Sequence, residues 1–314
     1  MKTLREVLGD AQQRGVAIGH FNISELAALK AVFESARGMG VPVIVGLSEG
    51  ERAFMGVREA AAAVKALRDE YPIFLNADHT HSLASAEAAV RAGFDSVVFD
   101  RSDLPLAQNI SETKQAVAAL KAIAPSTLIE GEIGQIGVGS EIHEEGPESL
   151  RLTTVEEARE FAATTGIDIL APAVGTSHGL SRRMVRGESQ KRLNIDRIAA
   201  IRDATGLFMT LHGASGTNDD DLRRAIRAGI TEVHINTELR LAWRRGLEAA
   251  FRKEPDEIVP YKLLPAAVEA MSKVITARLS LFSAGQSAGI RSLPAFPDGR
   301  TGESKHARLL QTPA

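Results

Sequence analysis

Eight short apolar runs, each separated from the next by a helical stretch, constrain this chain more than any other feature. They fall at residues 16–21, 41–47, 73–76, 96–99, 127–130, 167–170, 207–211 and 232–235. They are mostly apolar along their whole length, which is the pattern of strands buried on both faces. The stretches between them carry helix signals. Ser24, Ser82 and Asn218 each precede a helical segment, and Thr154 with Glu157 has the spacing of a capping box. Arg-Ala-Gly closes a helix at Gly93 and again at Gly229, each time just before a strand. Strands alternating with helices build a parallel sheet, and eight of them are what a closed barrel needs. An open doubly wound sheet would carry Gly-x-Gly-x-x-Gly after its first strand, and no such run follows residues 16–21. The predicted fold is α/β, a (β/α)8 TIM barrel over residues 1–285.

Two segments stand outside the repeat. Residues 134–152, rich in Gly and Glu, are long for a strand-to-helix loop, and loops of that length tend to be lids or binding loops. Residues 286–314 collect Ser, Gly, Pro and mixed charge, so a poorly ordered tail, or one laid on another subunit, is expected.

Composition removes several classes of function. With a net charge of -3 and no basic run interleaved with aromatics, the chain is not expected to bind nucleic acid. No stretch is long and apolar enough to span a bilayer, and residues 1–15 lack the apolar core of a secretory signal, so a cytoplasmic protein without membrane contact is expected. There is no cysteine, so any metal must sit on His, Asp or Glu.

Three of the eight histidines, His79, His178 and His212, stand just past the ends of the predicted third, sixth and seventh strands. In a parallel barrel those ends share one rim, where such enzymes keep their active sites. Three imidazoles with a fourth position open make a catalytic zinc site. A lone histidine at a strand end is more often a hydrogen-bonded loop residue, and His20, His81, His143 and His306 are read that way. His178 and His212 are each followed at once by glycine, and Asp78 directly precedes His79, which places a carboxylate beside the metal. Gly213-Ala-Ser-Gly216 and Asn236-Thr-Glu238 follow the last two strands, the sector where barrels often hold phosphate on backbone N–H groups.

Phe74-Leu-Asn-Ala-Asp-His79, Glu130-Gly-Glu-Ile-Gly134, Gly175-Thr-Ser-His-Gly179 and Leu211-His-Gly-Ala-Ser-Gly216 resemble the signature blocks of class II fructose-bisphosphate and tagatose-bisphosphate aldolases. The resemblance runs in the family's order over about the first 285 residues. It implies an aldehyde-lyase of carbohydrate metabolism, glycolysis included, that reversibly cleaves a phosphorylated ketose to dihydroxyacetone phosphate and an aldehyde. It also implies zinc on His79, His178 and His212, a monovalent cation near the phosphate site, and a homodimer or homotetramer. Asp78 would exchange the proton of the aldehyde oxygen or C4 hydroxyl. Gly179, Gly213, Ala214, Ser215, Asn236 and Thr237 would hold phosphate, Asn22 and Ser48 would line the pocket, and Glu132 would stand near the metal. Asn22 and Ser48 could equally be helix caps, and Glu132 an ion-pair partner.

Aldol cleavage must delocalise electrons onto the C2 oxygen. A lysine Schiff base would do so, but no lysine lies in a predicted strand or at its end, which leaves zinc as the Lewis acid. The chain departs from the family at four places. Asn76 stands where a histidine is common, Arg101 where glycine is frequent and His234 where asparagine is usual. The lid motif has become Gly137-Val-Gly-Ser-Glu-Ile-His143, whose Glu141 is the nearest candidate for the base at C3, with Glu144 and Glu145 as alternatives. All four are expected at the pocket or its lid, so the ketose phosphate stays open. The competing readings are a zinc-dependent TIM-barrel hydrolase, with Asp78 as general base, and a metal-binding barrel without activity.

Overall fold

The computed structural model describes residues 2–137, 139–144 and 151–284. Among the described residues there are ten strands: β1 (Ile18–Asn22), β2 (Val43–Leu47), β3 (Ile73–Thr80), β4 (Ser96–Phe99), β5 (Leu128–Ile133), β6 (Ile142–His143), β7 (Ile169–Pro172), β8 (Leu180–Ser181), β9 (Phe208–Leu211) and β10 (Glu232–Ile235). Eight of them close a barrel in the order β1-β10-β9-β7-β5-β4-β3-β2, and the ladders between neighbours are parallel. This is the predicted (β/α)8 architecture. The remaining two, β6 and β8, pair with each other on the rim, Ile142 opposite Leu180 and His143 opposite Ser181.

Several strands run past the predicted ends. β3 continues to Thr80 and β5 to Ile133, where the apolar runs stop at Asn76 and Glu130. Residues two apart on a strand share a face, so Phe74, Asn76 and Asp78 line one side, as do Leu128, Glu130 and Glu132. That side is the barrel interior. Polarity there reflects depth in the barrel and not the end of the strand.

The interior is layered. Ile18, Ile44, Phe74, Leu128 and Ile169 form one apolar cluster, closed by Leu4, Val7, Leu8 and Ala11 of the helix Leu4–Arg14 and packed against Phe208. That helix, which the sequence reading leaves unassigned, begins at a capping box of Thr3 and Glu6 and stops at Gly15 in the left-handed region. Val43, Val45, Leu47, Ile73, Leu75, Val97, Ile129, Leu170, Met209, Leu211 and Val233 belong instead to the outer core beneath the helices.

The predicted caps hold at Ser82, Thr154 with Glu157, and Asn218. At the helix Leu26–Met39 the cap is Glu25, whose carboxylate accepts from the amides of Ala27 and Ala28, while the Ser24 hydroxyl reaches Glu51. Gly93 and Gly229 cap their helices as expected. The lid region is described in part: residues 139–144 carry β6, whereas Val138 and residues 145–150, Glu145 included, lie outside the described residues. The tail expected at 286–314 lies outside them as well. Among the described residues no helix is long and apolar enough to cross a membrane.

Candidate active site

Pairing between β3 and β4 shifts register between Ala77 and Thr80, and His79 sits in that irregularity with φ at +36°. His79 therefore lies within the strand's last turn and not beyond its end. An irregularity of this kind re-aims side chains beside active sites. Arg52, buried in the first helix after β2, holds the kink: its guanidinium donates to the carbonyls of Leu47 (2.5 Å) and Asp78 (3.0 Å) and to Thr80 Oγ1 (3.0 Å).

One strand end and two loops bring the predicted ligands together. His212 follows β9 directly, and His178 lies on the loop between β7 and β8. Ligand atoms of His79, His178 and His212 all lie within 4.8 Å of one another. His79 Nδ1 stands 2.8 Å from Asp100 Oδ2, and His212 Nε2 stands 2.6 Å from Glu130 Oε1. Where an N–H on each of those atoms donates to its carboxylate, the opposite nitrogen is free to bind a proton or a metal ion. The opposite nitrogens, His79 Nε2 and His212 Nδ1, face each other at 3.1 Å. Nitrogens so close are joined either by a proton on one of them or by a cation that both bind, and carboxylate-tied imidazoles are the usual ligands of a metal ion.

In the metal-free site a proton on His79 takes that place. Burial lowers His79, yet Asp78, Asp100 and Glu132 outweigh it and push the imidazole up to about 10. Burial and the charge of His79 push His178 down to about 3. His212 falls well below the usual histidine range through burial and its neighbours His234 and His79. Glu132 is raised well above the carboxylate range by burial and then by Asp100; its Oε2 is buried without a partner, 3.7 Å from His79 Nδ1 and 3.8 Å from His212 Nδ1. An acidic surround, an orphaned carboxylate oxygen and imidazole lone pairs on one spot fit a divalent cation such as zinc.

Asp78 points into the same pocket. Asn22 Nδ2 donates to its Oδ2 at 2.9 Å, whereas Oδ1 has no hydrogen-bond partner; His234 Nδ1 lies 3.4 Å from it, poorly aligned. Burial raises this carboxyl, but His79 and His234 outweigh burial and hold it well below the carboxylate range. Gly179, Gly213, Ser215, Asn236 and Thr237 line the pocket beside Asn22, Asp78 and the three histidines. Thr237 opens the helix Thr237–Lys253, whose first-turn N–H groups suit an anion. Ala214 is buried behind this wall. Ser48 is the N-cap residue of the helix Glu49–Met55, and its N–H donates to Glu51 Oε2 at 2.8 Å. Glu141 is exposed; its carbonyl accepts from Leu180 N at 2.9 Å, and Ser140 lines the pocket on that side.

The departures from the family pattern sort unevenly. His234 lines the pocket, and its Nε2 meets Glu232 at 2.9 Å. Asn76, expected at the pocket, is sealed one layer below, bonded to His20 and Ser96. Arg101, also expected there, turns away to Glu112 and the His81 carbonyl. His20, read as a loop residue, lies on β1 inside the barrel with its ring stacked on His234 at 3.4 Å between centroids. A Cβ on Gly46 would lie 2.0 Å from that ring, so glycine there makes its room. His81 and His143 are hydrogen-bonded rim residues as expected, and His306 lies outside the described residues.

Sequence reasoning missed Asp100 and Glu130, which contact the rings of His79 and His212, and Lys191, whose Nζ is buried against the loops of His178 and His212. Glu130 had a signal: it is two residues from Glu132 and so shares its face. Lys191 had none, because it lies in no barrel strand and forms a single bridge with Thr217.

The family model described as "Fructose-bisphosphate aldolase class-II" matches residues 2–287. The chain is 34% identical over 294 residues to the 6-phospho-5-dehydro-2-deoxy-D-gluconate aldolase of Shouchella clausii (strain KSM-K16), covering 91% of this chain and 96% of that one. It is 32% identical over 291 residues to a probable fructose-bisphosphate aldolase of Bacillus subtilis (strain 168), covering 91% and 99%. Among solved structures, the YdjI aldolase from Escherichia coli K12 superposes with a TM-score of 0.77 at 26% identity, covering 92% of this chain and 98% of that one. With its barrel, its rim of histidines and these relatives, the chain belongs to the class II fructose-bisphosphate aldolase family.

Proposed function

We propose that this chain is a zinc-dependent aldolase that reversibly cleaves a phosphorylated ketose to dihydroxyacetone phosphate and an aldehyde. The observation that carries this reading is the pair of carboxylate-tied imidazoles facing each other at 3.1 Å, with the half-free carboxylate of Asp78 in the same pocket. Zinc bound by His79, His178 and His212 supplies the Lewis acidity that aldol chemistry needs. Asp78, kept ionised by its neighbours, takes the proton of the C4 hydroxyl in cleavage and returns it to the aldehyde oxygen in synthesis. Asn22 fixes one of its oxygens and leaves the other for the substrate. Gly179, Gly213, Ser215 and the start of the helix Thr237–Lys253 receive the phosphate.

Fructose 1,6-bisphosphate and 6-phospho-5-dehydro-2-deoxygluconate, for which two relatives are named, and tagatose 1,6-bisphosphate, which the sequence resemblance implies, form the panel that tests this reading. Triose phosphate should appear from at least one of them, with no water consumed, and chelation should stop the reaction until zinc is restored. Release of inorganic phosphate alone would make the protein a hydrolase. For the base at C3 we propose Glu141. Glu141→Gln is expected to slow proton exchange at C3 of dihydroxyacetone phosphate by roughly two orders of magnitude. Loss in Glu144→Gln or Glu145→Gln instead would move the role along the loop; Glu144 already has Arg182 as a partner.

A further inference from the structure

Lys191 is buried, and its Nζ donates to four backbone carbonyls: Ser177 (2.5 Å), Gly179 (2.7 Å), Gly213 (2.9 Å) and Ser215 (2.7 Å). Ser177 and Gly179 flank His178, and Gly213 and Ser215 follow His212. One ammonium thus joins the two loops that carry metal ligands and that line the pocket at Gly179, Gly213 and Ser215. A ring of carbonyls is how proteins replace the hydration shell of an alkali cation.

We propose that Lys191 is a built-in cation, a positioning residue that fills the carbonyl ring behind the phosphate pocket so that this protein needs no free monovalent cation there. The proposal rests on the phosphate reading of that pocket. The monovalent cation implied by the family resemblance and the Lys191 ammonium cannot both occupy one ring.

The approach of Lys191 is fixed from both sides. Its N–H donates to the Gly216 carbonyl at 2.9 Å, and its carbonyl accepts from Asn218 N at 3.1 Å. Next to it, Arg192 forms a two-pronged bond with Asp221 (2.7 and 3.1 Å), and Leu193 N donates to the same carboxylate at 3.0 Å. The loops can come this close because of their glycines. A Cβ on Gly213 would lie 2.6 Å from the Ser177 carbonyl oxygen, and one on Gly175 would lie 2.3 Å from that of Arg192. An ammonium has three hydrogens for four acceptors, so the ring is fully used and one hydrogen is shared. Its positive charge lies one peptide behind three residues of the pocket wall, which favours an anion in front of them.

The test uses the full-length, zinc-loaded protein in potassium chloride and in choline chloride at matched ionic strength. Wild-type Tm and affinity for inorganic phosphate are expected to be the same in both, with no thallium(I) bound. Lys191→Ala empties the ring. Its Tm should fall by about 5–10 °C in choline chloride, the scale of several buried acceptors left unpaired in a chain of this size, and its phosphate affinity should fall too. Potassium or ammonium ions should restore at least half of both losses. Lys191→Met fills the space without donors, so no cation should restore it. A potassium-specific gain in the wild type, thallium(I) binding to the wild type, or a Lys191→Ala protein that is destabilised yet indifferent to every cation would each overturn the proposal. A Lys191→Ala protein as stable as wild type in choline chloride would do the same. If Lys191→Ala does not fold, the two wild-type measurements still decide. Tm and cation binding require no turnover, so a chain that cleaves no ketose phosphate would refute the aldolase reading and leave this test standing.

Discussion

At the floor of the barrel Ile18, Ile44, Phe74, Leu128, Ile169 and Phe208 pack beneath the helix Leu4–Arg14. Two residues further along the same strands stand His20, Gly46, Asn76, Glu130, Ala171 and Thr210, and one step beyond come Asp78, Glu132 and His212. On β3 and β5 one face thus runs from hydrocarbon to ionisable groups over four residues, Phe74 to Asp78 and Leu128 to Glu132, roughly 7 Å per step of two. The floor gains from leaving water, on the order of 1.5–3 kcal/mol for each large side chain. The upper layers lose by it unless paired: burial and then Glu232 push Glu130 up to about 8. Stability is concentrated at one end of the strands and ionisable groups at the other, and the proposed zinc among the histidines would relieve that upper end.

The largest effect that tests this division is expected at the rim. His178→Ala should abolish zinc binding and turnover, while unfolding of the metal-free protein shifts by no more than about 1 kcal/mol. Metal analysis beside denaturant unfolding checks both halves, and stoichiometric zinc in the variant would break the assignment. Phe74→Ala makes the opposite cut. It should cost about 3–5 kcal/mol of stability and leave zinc per folded molecule unchanged; loss of zinc from folded protein would show that floor and rim are coupled.

Two smaller effects sharpen the picture within the rim itself. Asp78→Asn keeps the shape of the side chain but cannot take a proton, so turnover should fall about a hundredfold or more with zinc content near normal. Lost zinc would make Asp78 an anchor of the metal. Asp100→Asn should weaken zinc binding by about 10–100-fold, the usual effect of removing the group that orients a ligand histidine. Competition with a chelator measures it. Unchanged affinity would mean that the irregularity at His79 sets the ring by itself.

The strand count and the meeting of His79, His178, His212 and Asp78 at one pocket were legible because their signals are local. Apolar runs, caps and glycine stops report on a few neighbouring residues, and barrel closure then puts every strand end on one rim whatever the detailed register. Strand ends were less legible: the apolar runs stop at Asn76 and Glu130, and only the barrel shows that β3 and β5 go on through Asp78 and Glu132. Ser24 lost the cap to Glu25 because the hydroxyl found a partner in Glu51, across the rim.

Sequence by itself therefore determined the barrel and which side chains could meet at its mouth. Tertiary structure alone decided how they meet. Asp100 reaches His79, Glu130 reaches His212, His20 stacks on His234 and Lys191 finds four carbonyls because particular strands and loops, 12 to 214 positions apart in the chain, became neighbours. Pairings over such separations depend on register, tilt and the sub-ångström fit of loops around glycine, and none of these has a signature in a local window of residues.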